Sequence, residues 1–61
     1  MKYITIQGFE EYPATVYYDR DRYFVDFHAT AADGAGNRYP LPIHSYETLQ
    51  GVKEALFYHY N

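Results

Sequence analysis

Two polar turns divide the middle of the chain into three stretches rich in β-forming residues, and this pattern constrains the fold more than any other. The first turn covers residues 19–22, between stretches 14–18 and 23–31. The second covers residues 33–37, in which glycine and asparagine accept positive φ at little cost, and stretch 39–44 follows it. Short turns of this kind join antiparallel strands, so the pattern predicts a three-stranded antiparallel sheet.

Both turns predict the same alternation of side chains between the two faces of this sheet. Across the first turn the expected partners are Tyr18 with Tyr23, Val16 with Val25 and Ala14 with Phe27. Across the second turn they are Ala32 with Arg38, Ala29 with Leu41 and Phe27 with Ile43. Since paired residues share a face, one face collects the apolar side chains of Val16, Tyr18, Tyr23, Val25, Phe27, Ala29, Leu41 and Ile43. The outer face, without lysine or arginine, collects Thr15, Tyr17, Phe24, Asp26, His28, Thr30 and His44.

The stretch after residue 44 has the periodicity of a helix. Its apolar face repeats at helical spacing in Leu49, Val52, Leu56 and Tyr60. Ser45 has the side chain of an N-cap, and Glu47 suits the positive end of the helix dipole. We therefore expect a single α+β domain over residues 1–61. It has a three- or four-stranded antiparallel β-sheet with one C-terminal α-helix packed on the apolar face, over Val25, Phe27, Leu41 and Ile43. Residues 3–7 supply the fourth strand if they join the sheet.

Pro40 and Pro42 indicate which strand lies at an edge. They are two residues apart, so their missing N–H groups point to the same side of the strand. A strand tolerates this only where that side has no partner. We therefore expect stretch 39–44 to be an edge strand that is blocked against further pairing.

The small size of the chain limits its core. It has 61 residues and no cysteine, so neither disulfides nor thiolate metal ligands support the fold. A domain of this size buries only about 60% of the surface that its unfolded chain exposes. Nine tyrosines and four phenylalanines are more rings than one such core can hold, so several must face solvent or a partner. Association with a protein partner, or between copies in a homo-oligomer, would support such a domain.

The sequence also bears on the compartment and the class of partner. No apolar run approaches the roughly 20 residues of a membrane span, and residues 1–7 do not resemble a signal peptide. Small secreted domains are usually rich in cysteine, so we expect a cytoplasmic location without membrane contact. The net charge of −3 disfavours a surface that tracks phosphates, and we therefore do not expect binding to nucleic acid.

Four aromatic side chains fall outside the predicted core and are candidates for a partner-binding surface. Tyr17 and Phe24 lie side by side on the outer sheet face, and Phe57 and Tyr58 lie on the outward side of the helix. Large aromatic residues are enriched at the centres of protein interfaces. The acidic side chains that would imitate phosphates toward a basic partner are Glu10, Glu11, Asp19, Asp21, Asp26 and Asp33.

Polar side chains on the outer face raise the question of catalysis. Asp26 is expected to face His44, with Thr15 beyond Asp26, whereas in a nucleophile relay the histidine lies between the acid and the hydroxyl. We interpret Asp26 and His44 as a cross-strand contact within the binding surface, and we expect no enzymatic activity. The histidines His28, His44 and His59 do not converge with a fourth ligand, so neither a metal nor a cofactor is expected.

Two segments resemble HicB-type antitoxins. Residues 12–28 are similar to the opening hairpin of that family, with a tyrosine–proline strand, a charged turn and an aromatic strand. Residues 45–56 are similar to its following helix. The family usually has a proline-rich segment after the second strand, where this chain has residues 29–32, Ala-Thr-Ala-Ala. The resemblance implies an acidic antidote protein whose sheet and helix cap a partner, often a nuclease.

The order of three strands and a helix also resembles the arm-binding domains of phage integrases and the DNA-binding domains of plant ethylene-response factors. The similar parts are residues 33–38 and the helix from Thr48 onward. Those domains bind DNA through basic and aromatic residues on the exposed sheet face, which here lacks lysine and arginine.

The predicted function is therefore that of a small acidic, non-enzymatic binding protein that caps or inhibits a protein partner. An antitoxin, or a phage-encoded inhibitor of a nucleic-acid-processing enzyme, would have these properties. Two alternatives stay open: a nucleic-acid-binding module and a structural homo-oligomer subunit.

Overall fold

The chain folds into a four-stranded sheet, a two-stranded hairpin and one C-terminal helix. A computed structural model describes all residues, Met1–Asn61. In chain order the elements are β1 (Lys2–Ile4), β2 (Thr15–Asp19), β3 (Arg22–Asp26), β4 (Thr30–Ala32), β5 (Arg38–Pro40), β6 (His44–Tyr46) and α1 (Leu49–Tyr60). The main sheet has the order β1-β2-β3-β6, and every neighbouring pair is antiparallel. Strands β4 and β5 pair only with each other, and this hairpin is named the arm.

The predicted α+β architecture is confirmed, and the sheet has four strands, of which the N-terminal one covers Lys2–Ile4 rather than residues 3–7. Strand β1 joins the sheet at the edge beside β2, with Tyr3 opposite Tyr17 and Ile4 opposite Val16. The chain leaves the sheet after Ile4, and Ile6 is buried in the core. The N-terminal segment therefore contributes both an edge strand and a core side chain.

The register predicted for the first turn is confirmed. Val16 lies opposite Val25, and Tyr18 lies opposite Tyr23. The two residues between β2 and β3 are Arg20 and Asp21, with φ of 50° and 64°. A two-residue turn with positive φ at both positions has a backbone twist that matches the twist of the flanking strands. Because the turn contains only these two residues, β2 and β3 can pair in only one register.

Strand pairing slips by one residue where the arm leaves the sheet. Within the arm the register is the predicted one, and the Leu41 N–H donates to the Ala29 carbonyl oxygen at 2.9 Å. In the main sheet, however, Val25 lies opposite His44. On one strand, residues 26–28 lie between Val25 and Ala29. On the other strand, only residues 42 and 43 lie between Leu41 and His44. One strand therefore has an additional residue, which is a β-bulge. The predicted pairing of Phe27 with Ile43 is wrong for this reason.

The bulge is centred on His28, whose backbone is in the left-handed region. Its φ is 57°, a conformation that costs energy for a residue other than glycine. The Asp26 carboxylate accepts a hydrogen bond from the His28 backbone N–H at 2.8 Å, which stabilises this local turn. The predicted strand over 23–31 therefore breaks into β3 and β4, and the stretch 39–44 breaks between β5 and β6.

The slip changes which side chains lie under the helix. His44 shares the helix side of the sheet with its partner Val25, so its predicted place on the outer face is wrong. Leu41 and Ile43, predicted to lie beneath the helix, are 42% and 47% exposed. Phe27 remains half-buried at the margin of the core. The helix therefore covers less of the sheet than the uniform register implies.

Only one of the two prolines lies in a strand: Pro40 ends β5, and Pro42 lies in the connection between β5 and β6. They therefore protect only part of the predicted edge. Because the Leu41 N–H faces Ala29, the neighbouring Pro40 has its missing N–H on the free side of the arm. The edge of the main sheet beside β3 is β6, which contains no proline. That strand is only three residues long, and short edge strands are poor templates for pairing.

Helix α1 begins later than predicted. Thr48 is the N-cap, and its hydroxyl oxygen accepts a hydrogen bond from the Gly51 backbone N–H at 3.1 Å. Ser45, the predicted N-cap, instead pairs with Phe24 in the sheet. A Cβ at Gly51 would lie 3.4 Å from the Cβ of Tyr46, an ordinary contact distance, so the packing of the helix against β6 does not require a glycine here.

The core consists of five buried side chains between the sheet and the helix: Ile6, Val16, Val25, Val52 and Leu56. Of the four helix positions predicted to face the sheet, Val52 and Leu56 are buried, whereas Leu49 and Tyr60 are partly buried at the edge of the core. A rim of half-buried aromatic and aliphatic residues surrounds them, including Phe9, Phe27 and Tyr60. Most of the chain's aromatic rings are therefore outside the core.

Candidate functional site

The outer face of the main sheet carries a row of three aromatic rings across three strands. Tyr17 and Phe24 are cross-strand partners, and their rings stack at a centroid distance of 5.1 Å and an angle of 14°. Tyr3 meets Tyr17 edge to face at 6.3 Å and is 67% exposed. We name Tyr3, Tyr17 and Phe24 the aromatic row. The predicted adjacency of Tyr17 and Phe24 on this face is confirmed, and β1 extends the row by one ring.

A basic side chain lies at the β6 end of the aromatic row. Arg22 has the same strand parity as Phe24 and donates from Nη2 to the Ser45 hydroxyl at 3.3 Å. The prediction that the outer face lacks arginine is therefore wrong, because strand β3 begins at Arg22. The Arg22 guanidinium also lies 3.6 Å from the Glu47 carboxylate, and both side chains are substantially exposed. The aromatic row therefore ends in a solvated ion pair.

Thr15, His28 and Asp26 form a hydrogen-bonded group on the same face. The Thr15 hydroxyl lies 2.7 Å from His28 Nε2, and His28 Nδ1 lies 3.5 Å from the Asp26 carboxylate. The histidine is therefore between the acid and the hydroxyl, whereas the predicted group had His44 beyond Asp26. His28 takes this place because the bulge turns its side chain back toward β2. The His28 side chain is 51% exposed.

His44 lies on the other side of the sheet, beside a groove between the helix and the base of the arm. Its ring meets Phe27 edge to face at 5.9 Å, and Phe27 stacks on His59 at 4.0 Å. The groove has a volume of about 380 Å³, and its walls include Phe27, Leu41, Pro42, His44, Ala55 and Tyr58. Asp26 also contributes to this lining, at the point where the bulge begins. Asp26 and His44 therefore do not form the predicted cross-strand pair.

The two outward aromatic residues of the helix are exposed as predicted. Phe57 is 59% exposed and Tyr58 is 84% exposed. Phe57 lies beside Phe9 along a shallow depression, and Tyr58 stands between this depression and the groove. Both rings line this depression, so Phe57 and Tyr58 are neighbours on the exposed side of the helix.

The candidate acidic residues divide between opposite ends of the sheet. Glu10 and Glu11 are exposed in the loop that leads into β2, and Asp19 and Asp21 lie around the turn that follows it. The five residues of β2 separate these positions by roughly 16 Å. Of the other two candidates, Asp26 lies at the bulge and Asp33 in the turn of the arm. The structure therefore does not bring the six predicted acidic residues into one surface.

Both acidic turns have local structural roles. Asp21 accepts a hydrogen bond from the Tyr18 hydroxyl at 3.3 Å, and desolvation together with the Asp21 charge raises the pKa of Tyr18. In the turn of the arm, backbone N–H groups of Ala35 and Asn37 donate to the Asp33 carboxylate at 2.8 and 3.0 Å. These hydrogen bonds lower the pKa of Asp33.

Neither a metal centre nor a membrane helix is visible in the fold. His28 lies on the outer face, whereas His44 and His59 contact Phe27 on the helix side. No group of three or more histidine, cysteine, aspartate or glutamate side chains has a geometry suited to a metal ion. The twelve-residue helix α1 is not of the length and apolarity that crossing a membrane requires.

No protein-family model, curated protein or solved structure matches the chain. The resemblance of residues 12–28 and 45–56 to HicB-type antitoxins therefore stays a prediction. The same holds for the resemblance to arm-binding and ethylene-response domains.

Proposed function

We propose that the chain is a small acidic, non-enzymatic binding module whose outer sheet face caps a protein partner. The observation that carries this proposal is the aromatic row of Tyr3, Tyr17 and Phe24, which no helix covers. Flat aromatic surfaces supply large contact area with few rotatable bonds, and such residues dominate binding energy at interfaces.

The charge distribution favours a basic partner. The chain has a net charge of −3, and the exposed carboxylates of Glu10 and Glu11 lie at one end of the sheet that holds the aromatic row. At the other end Asp19 is paired with Arg20 and with the N-terminal ammonium. A basic protein would be attracted to the end that holds Glu10 and Glu11 while its apolar groups contact the rings. Enzymes that process nucleic acids have basic surfaces, so an antitoxin or a phage-encoded inhibitor of such an enzyme fits this arrangement. A cytoplasmic site of action agrees with a fold that uses no disulfide.

We assign the group formed by Thr15, His28 and Asp26 to the β-bulge rather than to catalysis. Asp26 binds the His28 backbone, and the His28 ring reaches β2 through Thr15, so both contacts hold the left-handed residue in place. Nucleophile relays act in sites from which water is excluded, and this histidine is half exposed. The prediction is that Thr15→Val leaves partner binding unchanged.

The proposal is tested by affinity capture from the organism that encodes the chain, followed by titration of the captured protein. Replacement of Tyr17 and Phe24 by alanine should weaken binding by about 2 kcal/mol or more, because central aromatic residues contribute on this scale. Tyr58→Ala, which removes an exposed ring from the opposite side, is the matched control and should bind normally. Equal binding by the aromatic-row variant and the wild type would contradict the proposal.

A nucleic-acid-binding module is the second candidate, because Arg22 stands at the end of the aromatic row. Rings on a sheet can stack with bases when nearby cations hold the backbone. The Glu47 carboxylate forms an ion pair with Arg22 and so offsets its positive charge. The negative net charge of the chain also disfavours contact with phosphate groups. We therefore expect no binding to single-stranded or duplex DNA at physiological salt. Binding that weakens steeply with added salt would instead favour this second function.

A further inference from the structure

The chain exposes more surface than a folded protein of its mass normally does. Its accessible surface is 4735 Å², whereas a monomer of 7.2 kDa is expected to expose about 4,100 Å². Its radius of gyration is 12.8 Å, compared with about 10.5 Å for a compact domain of this length. The excess of about 600 Å² approaches the roughly 800 Å² that each partner buries in a standard protein interface.

The arm projects from the rest of the molecule without packing against another strand or helix. Strands β4 and β5 have three residues each. All three residues of β5 are exposed. A two-stranded hairpin alone is marginally stable in water, and three strands or a packing surface are normally required. The arm therefore lacks, within one copy of the chain, the contacts that hairpins of this size need.

The groove at the base of the arm is the other unfilled part of the molecule. Leu41 and Phe27 line it, and Tyr58 stands at its margin with 84% of its surface exposed. The groove is about 380 Å³ in volume, which is enough space to receive an aromatic side chain. A cavity and a projecting ring thus lie side by side on one face.

We propose that a second copy of the chain buries this face in a two-fold symmetric dimer, in which Tyr58 of each copy enters the groove of the other. A two-fold interface brings the same patch of both copies together, so each projecting ring is placed against a groove. The base of each arm then packs against the partner copy, which supplies the support that the arm lacks. The interface is formed by the groove, the base of the arm and the exposed ring of Tyr58.

The charge of this face suits a second copy better than a partner of opposite charge. Two chains with a net charge of −3 repel each other unless they meet through a surface with little charge. The groove lining contains one carboxylate, Asp26, and neither lysine nor arginine. That carboxylate already accepts a hydrogen bond from the His28 backbone. The inference does not depend on the proposed function, because the aromatic row lies on the opposite side of the sheet.

The dimer is tested by sedimentation equilibrium of the full chain over a wide concentration range. The wild type should reach twice the 7.2 kDa mass of one chain. Tyr58→Ser should weaken dimerisation on the order of tenfold or more, as expected for a ring at the centre of an interface. Tyr3→Ser is the matched control, since Tyr3 is an exposed tyrosine on the other face, and it should dimerise like the wild type.

Two sedimentation results would overturn the inference. One is a wild-type chain that stays at 7.2 kDa at concentrations on the order of 1 mM. The other is an equal loss of association in the Tyr58 and Tyr3 variants. The variants also separate the two proposals, since the variant that lacks the Tyr17 and Phe24 rings should keep the dimer and lose partner binding, whereas Tyr58→Ser should lose the dimer and keep partner binding.

Amide hydrogen exchange provides a second measurement that needs no variant. If the dimer supports the arm, exchange of the amides in β4 and β5 should slow as the protein concentration rises, by mass action. Exchange in β2 serves as the internal control, because this strand is paired on both sides within one copy. Exchange in the arm that is independent of concentration would contradict the proposed dimer.

Discussion

Replacement of Leu56 by alanine provides the sharpest test of how the helix packs on the sheet. Leu56 is 1% exposed and is one of three fully buried side chains. The substitution removes about three buried carbon groups at roughly 0.8 kcal/mol each, and the cavity that remains adds to this cost. We expect a loss of about 2–5 kcal/mol in the free energy of unfolding. A domain with so small a core has only about 3–5 kcal/mol to lose, so the variant should be largely unfolded.

Ile43 is the matched comparison, because a uniform strand register would bury it and the β-bulge exposes it. The observed side chain is 47% exposed and lies outside the groove between helix and arm. Ile43→Ala should therefore cost less than about 1 kcal/mol, as for surface positions in general. Leu56→Met, which nearly preserves volume, should also cost less than about 1.5 kcal/mol.

Urea denaturation followed by far-ultraviolet circular dichroism measures all three variants at one low protein concentration. Near-native stability of Leu56→Ala would refute the packing of α1 over Val16 and Val25. A loss in Ile43→Ala as large as the loss in Leu56→Ala would refute the bulge, since it would place Ile43 in the core. The expected order of stability is therefore Ile43→Ala close to Leu56→Met, with Leu56→Ala far below both.

Three further predictions concern the helix start and the arm. Thr48→Ala removes the N-cap hydrogen bond and should lower stability by about 1 kcal/mol in urea denaturation. Gly51→Ala should raise stability by about 0.5–1 kcal/mol, because the new Cβ meets Tyr46 at an ordinary contact distance; a lower melting temperature would contradict this. Asp33 has a pKa below its usual 3.8, so its stabilisation is complete above that pH and is lost as pH falls through the folded pKa. Hydrogen exchange of the Ala35 amide should therefore accelerate as the pH falls through the folded pKa of Asp33. The Asp33→Ala variant should not show this change in the exchange rate.

The first hairpin and the core of the helix could be predicted from sequence because local pattern and tertiary packing agree there. A two-residue turn fixes the pairing of Tyr18 with Tyr23, and alternation then determines every partner in β2 and β3. Val52 and Leu56 occupy the centre of the apolar helix face and are buried. The adjacency of Tyr17 and Phe24 in the candidate site follows from the same register.

The helix start was not predictable from the same rules, because two residues had suitable side chains. Ser45 and Thr48 both have hydroxyl groups that can cap a helix. The choice depends on pairing between Ser45 and Phe24, which lie far apart in sequence and meet only in the folded sheet. Tertiary contacts thus decided between two local signals of similar strength.

The one-residue shift of register between the arm and the main sheet has a local signal in the sequence. The alternation of side chains does not take this signal into account. An aspartate two residues before a histidine can form a turn in which its carboxylate accepts the backbone N–H of that histidine. Such a turn competes with continued strand pairing, and the two differ by the energy of a few hydrogen bonds, each worth about 1 kcal/mol. Continued pairing would also have to bury Leu41 and Ile43 under a twelve-residue helix that already covers Val16 and Val25.

The bulge at His28 links the two surfaces that the chain presents. On the outer face it brings the His28 ring to Thr15, so the polar group beside the aromatic row depends on the left-handed backbone. On the helix side the same slip moves His44 toward Phe27 and leaves Leu41 exposed at the groove. A strand that ran without interruption would place Leu41 under the helix and would leave neither the groove nor a separate arm. Asp26, which accepts the hydrogen bond that stabilises the bulge, therefore influences both surfaces through the backbone.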